Sequence, residues 1–235
     1  MRWLNKATGG CLLLLVFTSG ELQAALVTSA GAISSPTTFD FDGYSGPFVS
    51  IASAQPINIV NGLGDNISLS ASDSFPQLGT VPDPPGAYGL GDNNEWDAGR
   101  GGFVALNSDS ATVRFDFLDG PVSGVGGLVN YDTTSNTDFV ITALDINDSV
   151  LESYIISDID TNGAPNTGEF RGIVLAGQQI SAFTITGRFG VLDDLTFGPS
   201  QASAVPEPSS LAILAVGACA TVGRWRKRSR RKTVS

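Results

Sequence analysis

Short runs of alternating apolar and polar residues dominate the middle of the chain, between residues 26 and 204. In the clearest run, residues 112–117, three apolar side chains alternate with Arg114 and Asp116. A period of two residues is typical of a half-buried β-strand, because successive side chains of a strand point to opposite faces. Similar runs occur at 39–41, 139–144, 150–156, 170–175, 183–186 and 191–197.

Turn-forming residues separate these runs, for example the Asp-Gly-Pro at 119–121 and the Asn-Asp at 147–148. Many short strands with turns between them predict an all-β domain over residues 25–204, with an antiparallel β-sandwich or jelly-roll-like fold. The stretch 73–102 contains four prolines and several glycines, and we predict a long structured loop there.

The first 24 residues follow a different pattern. Arg2 and Lys6 precede an apolar run at 11–17, and Ala24 and Ala25 follow it. A basic start, a short apolar core and small residues after it are typical of a secretory signal peptide. We therefore predict a signal peptide at 1–24; the alternative is an uncleaved N-terminal anchor.

Three features follow one another in residues 205–235. The proline-rich step consists of Val205, Pro206, Glu207 and Pro208; an apolar stretch covers 209–223, and a basic cluster covers 224–232. We predict a single transmembrane helix at 209–223. The basic cluster then stays cytoplasmic, because cytoplasmic flanks of membrane spans carry an excess of Lys and Arg. Residues 25–204 would therefore lie outside the membrane.

This three-part tail resembles the PEP-CTERM sorting signal. The resemblance implies that an exosortase-type membrane enzyme recognises the tail and cleaves near 205–208. It also implies a protein at the cell surface or in the extracellular matrix of a biofilm, anchored in the membrane before cleavage. The alternative is an ordinary single-pass anchor behind a proline-rich stalk.

The runs between 103 and 198 resemble the β-sandwich domains that precede such tails. The resemblance rests on the Phe-Asp-Phe at 115–117, the run 139–151, the Gly-Glu-Phe-Arg-Gly-Ile at 168–173 and the Leu-Asp-Asp-Leu-Thr-Phe-Gly at 192–198. Those domains are similar to lectin-like jelly rolls, so the resemblance implies extracellular polysaccharide as a possible partner.

The charge of the chain is unevenly distributed. Segment 25–205 holds four arginines against 21 carboxylic acids, a net charge of −17, and 18 of the acids are Asp. Such a surface repels nucleic acid and attracts divalent cations, so a nucleic-acid-binding protein is excluded.

The inventory of reactive side chains is equally restrictive. Segment 25–204 contains no His, no Lys and no Cys, which excludes catalytic triads, thiol nucleophiles, disulfides and thiolate zinc sites there. A carboxylate pair for glycan hydrolysis remains chemically open. We predict that the protein is not an enzyme.

A calcium-loop pattern lies at 158–169. Asp158, Asp160 and Asn162 supply oxygens at alternate positions, Ala164 offers its carbonyl, and Glu169 closes the pattern D-x-[DN]-x-[DN]-G-x₅-E. The flanks are predicted strands rather than helices, which argues against an EF-hand and for a structural Ca²⁺ loop within a hairpin. The alternative is a solvated loop rich in Asx turns.

A second candidate cation site joins the first and last strands. Asp40 and Asp42 follow the run at 39–41, and Asp193 and Asp194 lie in the last run. Four carboxylates held together repel one another unless a cation lies among them. The alternative is that each pair consists of one solvent-facing acid and one turn acid.

Trp96 and Asp97 are the candidate ligand-binding residues, because an indole can stack on a sugar while a carboxylate binds its hydroxyl groups. Alternatively, Trp96 anchors its loop on the core.

Three function classes follow from these observations: a calcium-stabilised surface module that binds polysaccharide, a structural or adhesive surface protein without a specific ligand, and an acidic-site glycan hydrolase.

Overall fold

The computed structural model describes residues 24–44, 48–51, 57–60, 66–80, 88–96, 99, 101–161, 166–177 and 179–198. Within these ranges the chain is built from β-strands, and every paired strand is antiparallel to its neighbour. The remaining regular structure consists of three 3-10 turns, at Ala30–Ala32, Asp42–Tyr44 and Gly91–Asn93. The all-β antiparallel fold class predicted from the sequence is confirmed.

The larger sheet contains eight strands of the described chain. Seven follow the order β1-β14-β11-β16-β9-β6-β3, and β2 pairs with β16 beside β9. Their bounds are β1 Ala25–Val27, β2 Thr37–Phe39, β3 Val49–Ser50, β6 Gln77–Gly79, β9 Phe103–Ala105, β11 Gly124–Asn130, β14 Glu169–Val174 and β16 Val191–Gly198.

The second sheet contains six strands of the described chain, in the order β13-β12-β15-β10-β5-β4. Their bounds are β4 Ile57–Val60, β5 Asn66–Ala71, β10 Thr112–Phe117, β12 Phe139–Leu144, β13 Val150–Ile156 and β15 Ala182–Thr186. A small hairpin joins β7, Tyr88–Gly89, to β8, Glu95–Trp96.

The two sheets pack face to face around one apolar core. In β10 the inward side chains are buried and the outward ones are half-buried, as the alternation predicted. The rings of Phe117 from one sheet and Phe197 from the other lie 5.1 Å apart, and Phe115 contacts Phe183 at 6.3 Å. Each fully buried side chain of this size stabilises the fold by roughly 1.5–3 kcal/mol.

Two details differ from the sequence prediction. Strand β2 ends at Phe39, because Phe41 adopts a left-handed φ of 55° that turns its ring into the core. The stretch 73–102 is not a long loop throughout: β6 joins the larger sheet, and β7 and β8 form their own hairpin. Strands of two or three residues are too short for a period of two to be visible in the sequence.

A β-bulge interrupts the last strand. Gly126 of β11 pairs with Thr196, but Leu128 pairs with Asp193, so β16 contains one extra residue there. Asp194 adopts a φ of 49° at this point. Strand β16 pairs with β11 along one side and with β2 and β9 along the other, which places it inside the sheet.

Candidate functional site

The segment that carries the calcium-loop pattern crosses from one sheet to the other. Asp158 lies two residues after the end of β13, and Glu169 is the first residue of β14. The prediction that strands flank this pattern is therefore confirmed. The prediction that they form a hairpin is wrong, because β13 and β14 belong to different sheets and do not pair with each other. Asn162 and Ala164 lie outside the described residues.

Arg171 brings Asp158 and Glu169 to one position. Its Nη2 donates to Oδ2 of Asp158 at 3.0 Å and to Oε2 of Glu169 at 2.7 Å, while its Nε lies 3.3 Å from Oδ1 of Asp158. The arginine side chain is 4% exposed, whereas the carboxylates are 63% and 44% exposed. A buried cation thus holds the two outermost acids of the predicted loop.

Burial alone would lower the pKa of the Arg171 guanidinium, but its hydrogen bonds to Glu169 and Asp158 outweigh burial and raise the pKa above its ordinary value. The ion pair of Arg171 and Asp158 also connects the two sheets of the sandwich. Arg171 belongs to the larger sheet, and Asp158 follows the edge strand of the smaller one. Arg171 stands in no spacing pattern that would predict this role, and the signal that the sequence offers is that arginine is scarce among so many acids.

In the described part of the chain, no group of three or more acidic side chains is arranged to hold a metal ion. The side chain of Asp160 is not free, because Asp160 interacts with another group of the protein. The calcium loop therefore stays a prediction whose central residues lie outside the described ranges.

A buried network of amides holds the neighbouring part of this segment. The Asn130 side chain is fully buried and uses both of its N–H donors, to Oγ1 of Thr161 at 3.0 Å and to Oδ1 of Asn166 at 2.8 Å. Its Oδ1 accepts from Nδ2 of Asn93 and from the backbone N–H of Tyr131, both at 2.8 Å. The hydrogen-bonding capacity of this amide is therefore satisfied.

The same network ties the segment to the hairpin of β7 and β8. Nδ2 of Asn166 donates to the backbone carbonyls of Asn93 at 2.8 Å and Glu95 at 3.2 Å, and Oγ1 of Thr161 donates to the carbonyl of Asn93 at 3.0 Å. A Cβ at Gly168, whose φ is +66°, would lie 2.2 Å from a backbone oxygen, so this position requires glycine. Sequence reasoning missed these asparagines because isolated amides give no spacing signal.

Trp96 belongs to β8, and its indole lies between this hairpin and the outer face of the larger sheet. It is fully buried and forms a small second core with Leu90, Phe103, Ala105 and Val191. In this position neither face of the indole is open to a sugar, which matches the alternative that the tryptophan anchors its loop. The Nε1 of Trp96 has no hydrogen-bond partner among the described residues, and Asp97 lies outside them.

The second predicted cation site is assembled only in part. Strand β2 pairs with β16, which places the ends that carry Asp40 and Asp194 beside each other. Asp193 is buried, however, whereas Asp40 and Asp42 are exposed, and the Oδ1 of Asp40 accepts from the backbone N–H of Asp42. The structure thus brings the two strands together without gathering the four carboxylates into one cluster.

An exposed aromatic ring that the sequence analysis did not identify lies elsewhere on the surface. Phe75 is 60% exposed, and its carbonyl oxygen lies 3.4 Å from Nδ2 of Asn107. The same Nδ2 donates to Oε1 of Gln77 at 2.7 Å. Exposed aromatic rings and side-chain amides are groups that can bind carbohydrate.

The two ends of the chain lie outside the described residues. These include the predicted signal peptide, the step at Val205, Pro206, Glu207 and Pro208, and the predicted membrane span at 209–223. Among the residues that the structure describes, no helix has the length and apolarity needed to cross a bilayer.

Comparison with known proteins identifies the tail. Residues 204–228 match the family described as the PEP-CTERM protein-sorting motif. No curated protein sequence matches the chain significantly. Among solved structures, the chain is similar to the K2 cleaved adhesin domain of Lys-gingipain, at 12% identity and a TM-score of 0.37, over 69% of this chain and 99% of that one.

Proposed function

Because this chain is a PEP-CTERM protein with a β-sandwich ectodomain, we propose that it acts outside the cytoplasm as a non-catalytic module of the cell surface or matrix. The sorting motif implies export, anchoring in the membrane before cleavage, and processing by exosortase, a membrane enzyme. One observation carries the proposal: β16 ends at Gly198 and the motif begins at residue 204. Cleavage within the motif leaves the sandwich whole.

The position of β16 supports a structural role. A tether at its end acts on a strand that is hydrogen-bonded to β11 on one side and to β2 and β9 on the other. Tension on the tail therefore loads several strands at once rather than peeling an edge strand away. Such a connection suits a protein that is held at a surface.

The chemistry of the ectodomain supports a non-catalytic role. Segment 25–204 lacks His, Lys and Cys. Arg114 is bonded to Asp116 and Asp148, Arg171 to Asp158 and Glu169, and Arg188 lies over the ring of Tyr131. These cations serve the fold, which leaves them unsuited to activating a substrate.

Export and processing are tested by replacing Pro206, Glu207 and Pro208 with alanine in the producing cell. We expect the variant to stay membrane-bound at its unprocessed mass, whereas a Gln201→Ala control is processed and reaches the surface. Protease treatment of intact cells, followed by mass analysis, distinguishes the two forms. Surface delivery of the triple variant at the mature mass would contradict the proposal.

We also propose that Ca²⁺ binds the segment 158–169 through Asp158, Asp160, Asn162, Ala164 and Glu169. What supports this is the sequence pattern together with the convergence of Asp158 and Glu169 on one cationic group. In this proposal Ca²⁺ takes the position that the guanidinium holds. Extracellular calcium modules bind at roughly 10⁻⁴–10⁻³ M, so the arginine is an effective competitor.

Calorimetry in about 10 mM Ca²⁺ and in chelator tests this site. With dissociation constants in that range, we expect Ca²⁺ to raise the melting temperature by about 3–10 °C. The rise should be larger in Arg171→Met, which removes the competing cation, and unchanged from the parent in the control Arg114→Met. Equal melting temperatures with and without Ca²⁺ in Arg171→Met would show that Ca²⁺ does not bind the segment 158–169.

A second candidate function, polysaccharide binding, is favoured by the exposed ring of Phe75, whose backbone carbonyl accepts from the Asn107 amide that also bonds Gln77. We expect binding to immobilised matrix polysaccharides to be lost in Phe75→Ala and retained in Trp96→Phe, because the indole is buried. Binding that is kept in Phe75→Ala but lost in Trp96→Phe, with both folded, would move the site to the hairpin of β7 and β8.

Two further outcomes separate the other function classes. A chain that binds none of the polysaccharides offered is a structural or adhesive surface protein without that ligand. Release of reducing ends from matrix glycan by the purified chain would make it a hydrolase and would overturn the non-catalytic role.

A further inference from the structure

Strand β13 forms one edge of the smaller sheet. Residues 150–156 pair with β12, and within the described chain none of their backbone groups bonds to the backbone of another strand. The side chain of Tyr154 points away from this edge, and its hydroxyl accepts from the backbone of Leu26 in β1. The other side of β13 therefore presents N–H and C=O groups that can pair with a further strand. In the described part of the chain, the other end strands of the two sheet orders are shorter: β1 has three residues, β3 two and β4 four.

The side chains of this edge are unusually apolar. Val150 is 63% exposed and Ile155 is 60% exposed. Strand edges in monomeric proteins are commonly protected by lysine, proline or a strong bulge. Strand β13 contains neither lysine nor proline, and its register shift lies at the Val150 end, so the stretch 152–156 pairs regularly with β12.

We propose that β13 pairs with β13 of a second copy of this chain, antiparallel, with the two-fold axis at Ser153. The sequence Val-Leu-Glu-Ser-Tyr-Ile-Ile is apolar at both ends and polar in the middle. With Ser153 opposite its own copy, Glu152 lies opposite Tyr154 of the second copy, and Leu151 lies opposite Ile155. No carboxylate lies directly opposite another, and apolar side chains are paired at both ends.

The charged groups around this edge permit the pairing. One acid at each end of the strand has an arginine partner, since Arg114 contacts Asp148 at 2.7 Å and Arg171 contacts Asp158 at 3.0 Å. The remaining charge of both copies is screened over about 8 Å at physiological salt. A second copy fits this edge better than an unrelated strand, because a two-fold contact uses the same self-complementary patch twice.

Two seven-residue strands bury a small interface. Its area is below the roughly 1,200 Å² under which protein complexes are typically weak. We therefore expect a reversible dimer that forms as concentration rises. Sedimentation velocity of the full chain in mild detergent should show this dimer. Ile155→Lys should weaken it at least tenfold, whereas Ile146→Lys, which adds the same charge next to the strand, should leave it unchanged.

Crosslinking provides an independent measurement that does not depend on the Lys variant. In a full chain with Cys11→Ser and Cys219→Ser, Ser153→Cys should oxidise to a disulfide-linked dimer, because residues opposite each other in a strand pair have Cβ atoms about 4.5–5.5 Å apart. Asn58→Cys on the opposite edge strand, β4, is the matched control and should stay monomeric.

Three results would overturn the proposal. These are a parent chain that stays monomeric at every concentration, equal dissociation constants for Ile155→Lys and Ile146→Lys, and equal crosslinking of Ser153→Cys and Asn58→Cys. A monomeric chain whose β13 amides gain exchange protection only from an added foreign peptide would assign the edge to that peptide instead.

Discussion

The side-chain amide of Asn130, in β11, donates to the side-chain carbonyl of Asn166, 36 residues later, with 2.8 Å between nitrogen and oxygen. Asn130 is fully buried, and Asn166 bonds in turn to the backbone of the hairpin formed by β7 and β8. One amide therefore couples the larger sheet, the crossing segment and that hairpin. The arrangement makes the loop region part of the folded core.

Asn130→Ala should lower the free energy of unfolding by about 2–4 kcal/mol. Removing the amide takes one hydrogen bond each from Asn93, Thr161 and Asn166 and removes the acceptor of the backbone N–H of Tyr131. A buried group left unsatisfied costs about 1–3 kcal/mol unless water reaches it. Asn136→Ala is the matched control, because Asn136 is exposed, and this substitution should cost under about 0.5 kcal/mol. Urea denaturation measures both; equal losses would show that the network does not stabilise this region.

Trp96→Ala should destabilise the protein by about 3–5 kcal/mol, because it empties the small core under the hairpin. Trp96→Phe should cost much less, since the ring still contacts Phe103 and the indole N–H disappears. Differential scanning calorimetry of the three chains tests this order. An alanine variant as stable as the parent would mean that the hairpin is not anchored by this residue.

Arg171→Lys should reduce stability by about 1–2 kcal/mol although it keeps the charge. A lysine cannot reproduce the forked contact with both oxygens of Asp158 and the further bond to Glu169. Arg114→Lys serves as a comparison, because the Arg114 side chain is 29% exposed and water can replace its contacts. Thermal unfolding should therefore distinguish the two variants, and a larger loss in Arg114→Lys would contradict the importance of the buried fork.

Gly126→Ala should destabilise the larger sheet by about 1–3 kcal/mol. A Cβ at Gly126 would lie 2.6 Å from the carbonyl oxygen of Arg171 and from the Cα of Gly172, and backbone atoms in a paired strand cannot move away freely. Gly89→Ala is the control, because no atom lies within 4 Å of the added methyl group. Similar melting temperatures for the two variants would show that β11 and β14 can separate locally.

Asp145 should titrate below an ordinary aspartate. The backbone N–H of Ser149, and then that of Asn147, donate to its carboxylate at 2.8 Å, which lowers its pKa. The ionised form is thus favoured by folding. The resulting stability is present above the unfolded pKa of about 3.9 and is lost as the pH falls through the lower folded value.

Carboxyl chemical shifts recorded across the acid range give the Asp145 midpoint directly. In Asp145→Asn the contribution of this turn to the pH dependence of unfolding below about pH 4 should disappear. A midpoint at or above that of the exposed aspartates would refute the expected direction.

The alternation of apolar and polar residues by itself determined the strands from β10 to β16, apart from β11, to within one residue at most ends. Strand β11, with its Gly-Val-Gly-Gly centre, shows no alternation, because it is buried almost throughout and packs closely against the backbone of β14. The shortest strands were missed for a related reason: pairing with distant strands, rather than local sequence, defines them.

The sequence by itself also determined the sorting motif at 204–228, because such a motif consists of adjacent residues. Tertiary structure decided the candidate site. Trp96 became a core residue only when the hairpin of β7 and β8 folded onto the larger sheet, and Arg171 reached Asp158 only when the two sheets were packed. Contacts between residues far apart in the chain depend on sheet order and on the side to which each loop folds, which local patterns do not encode.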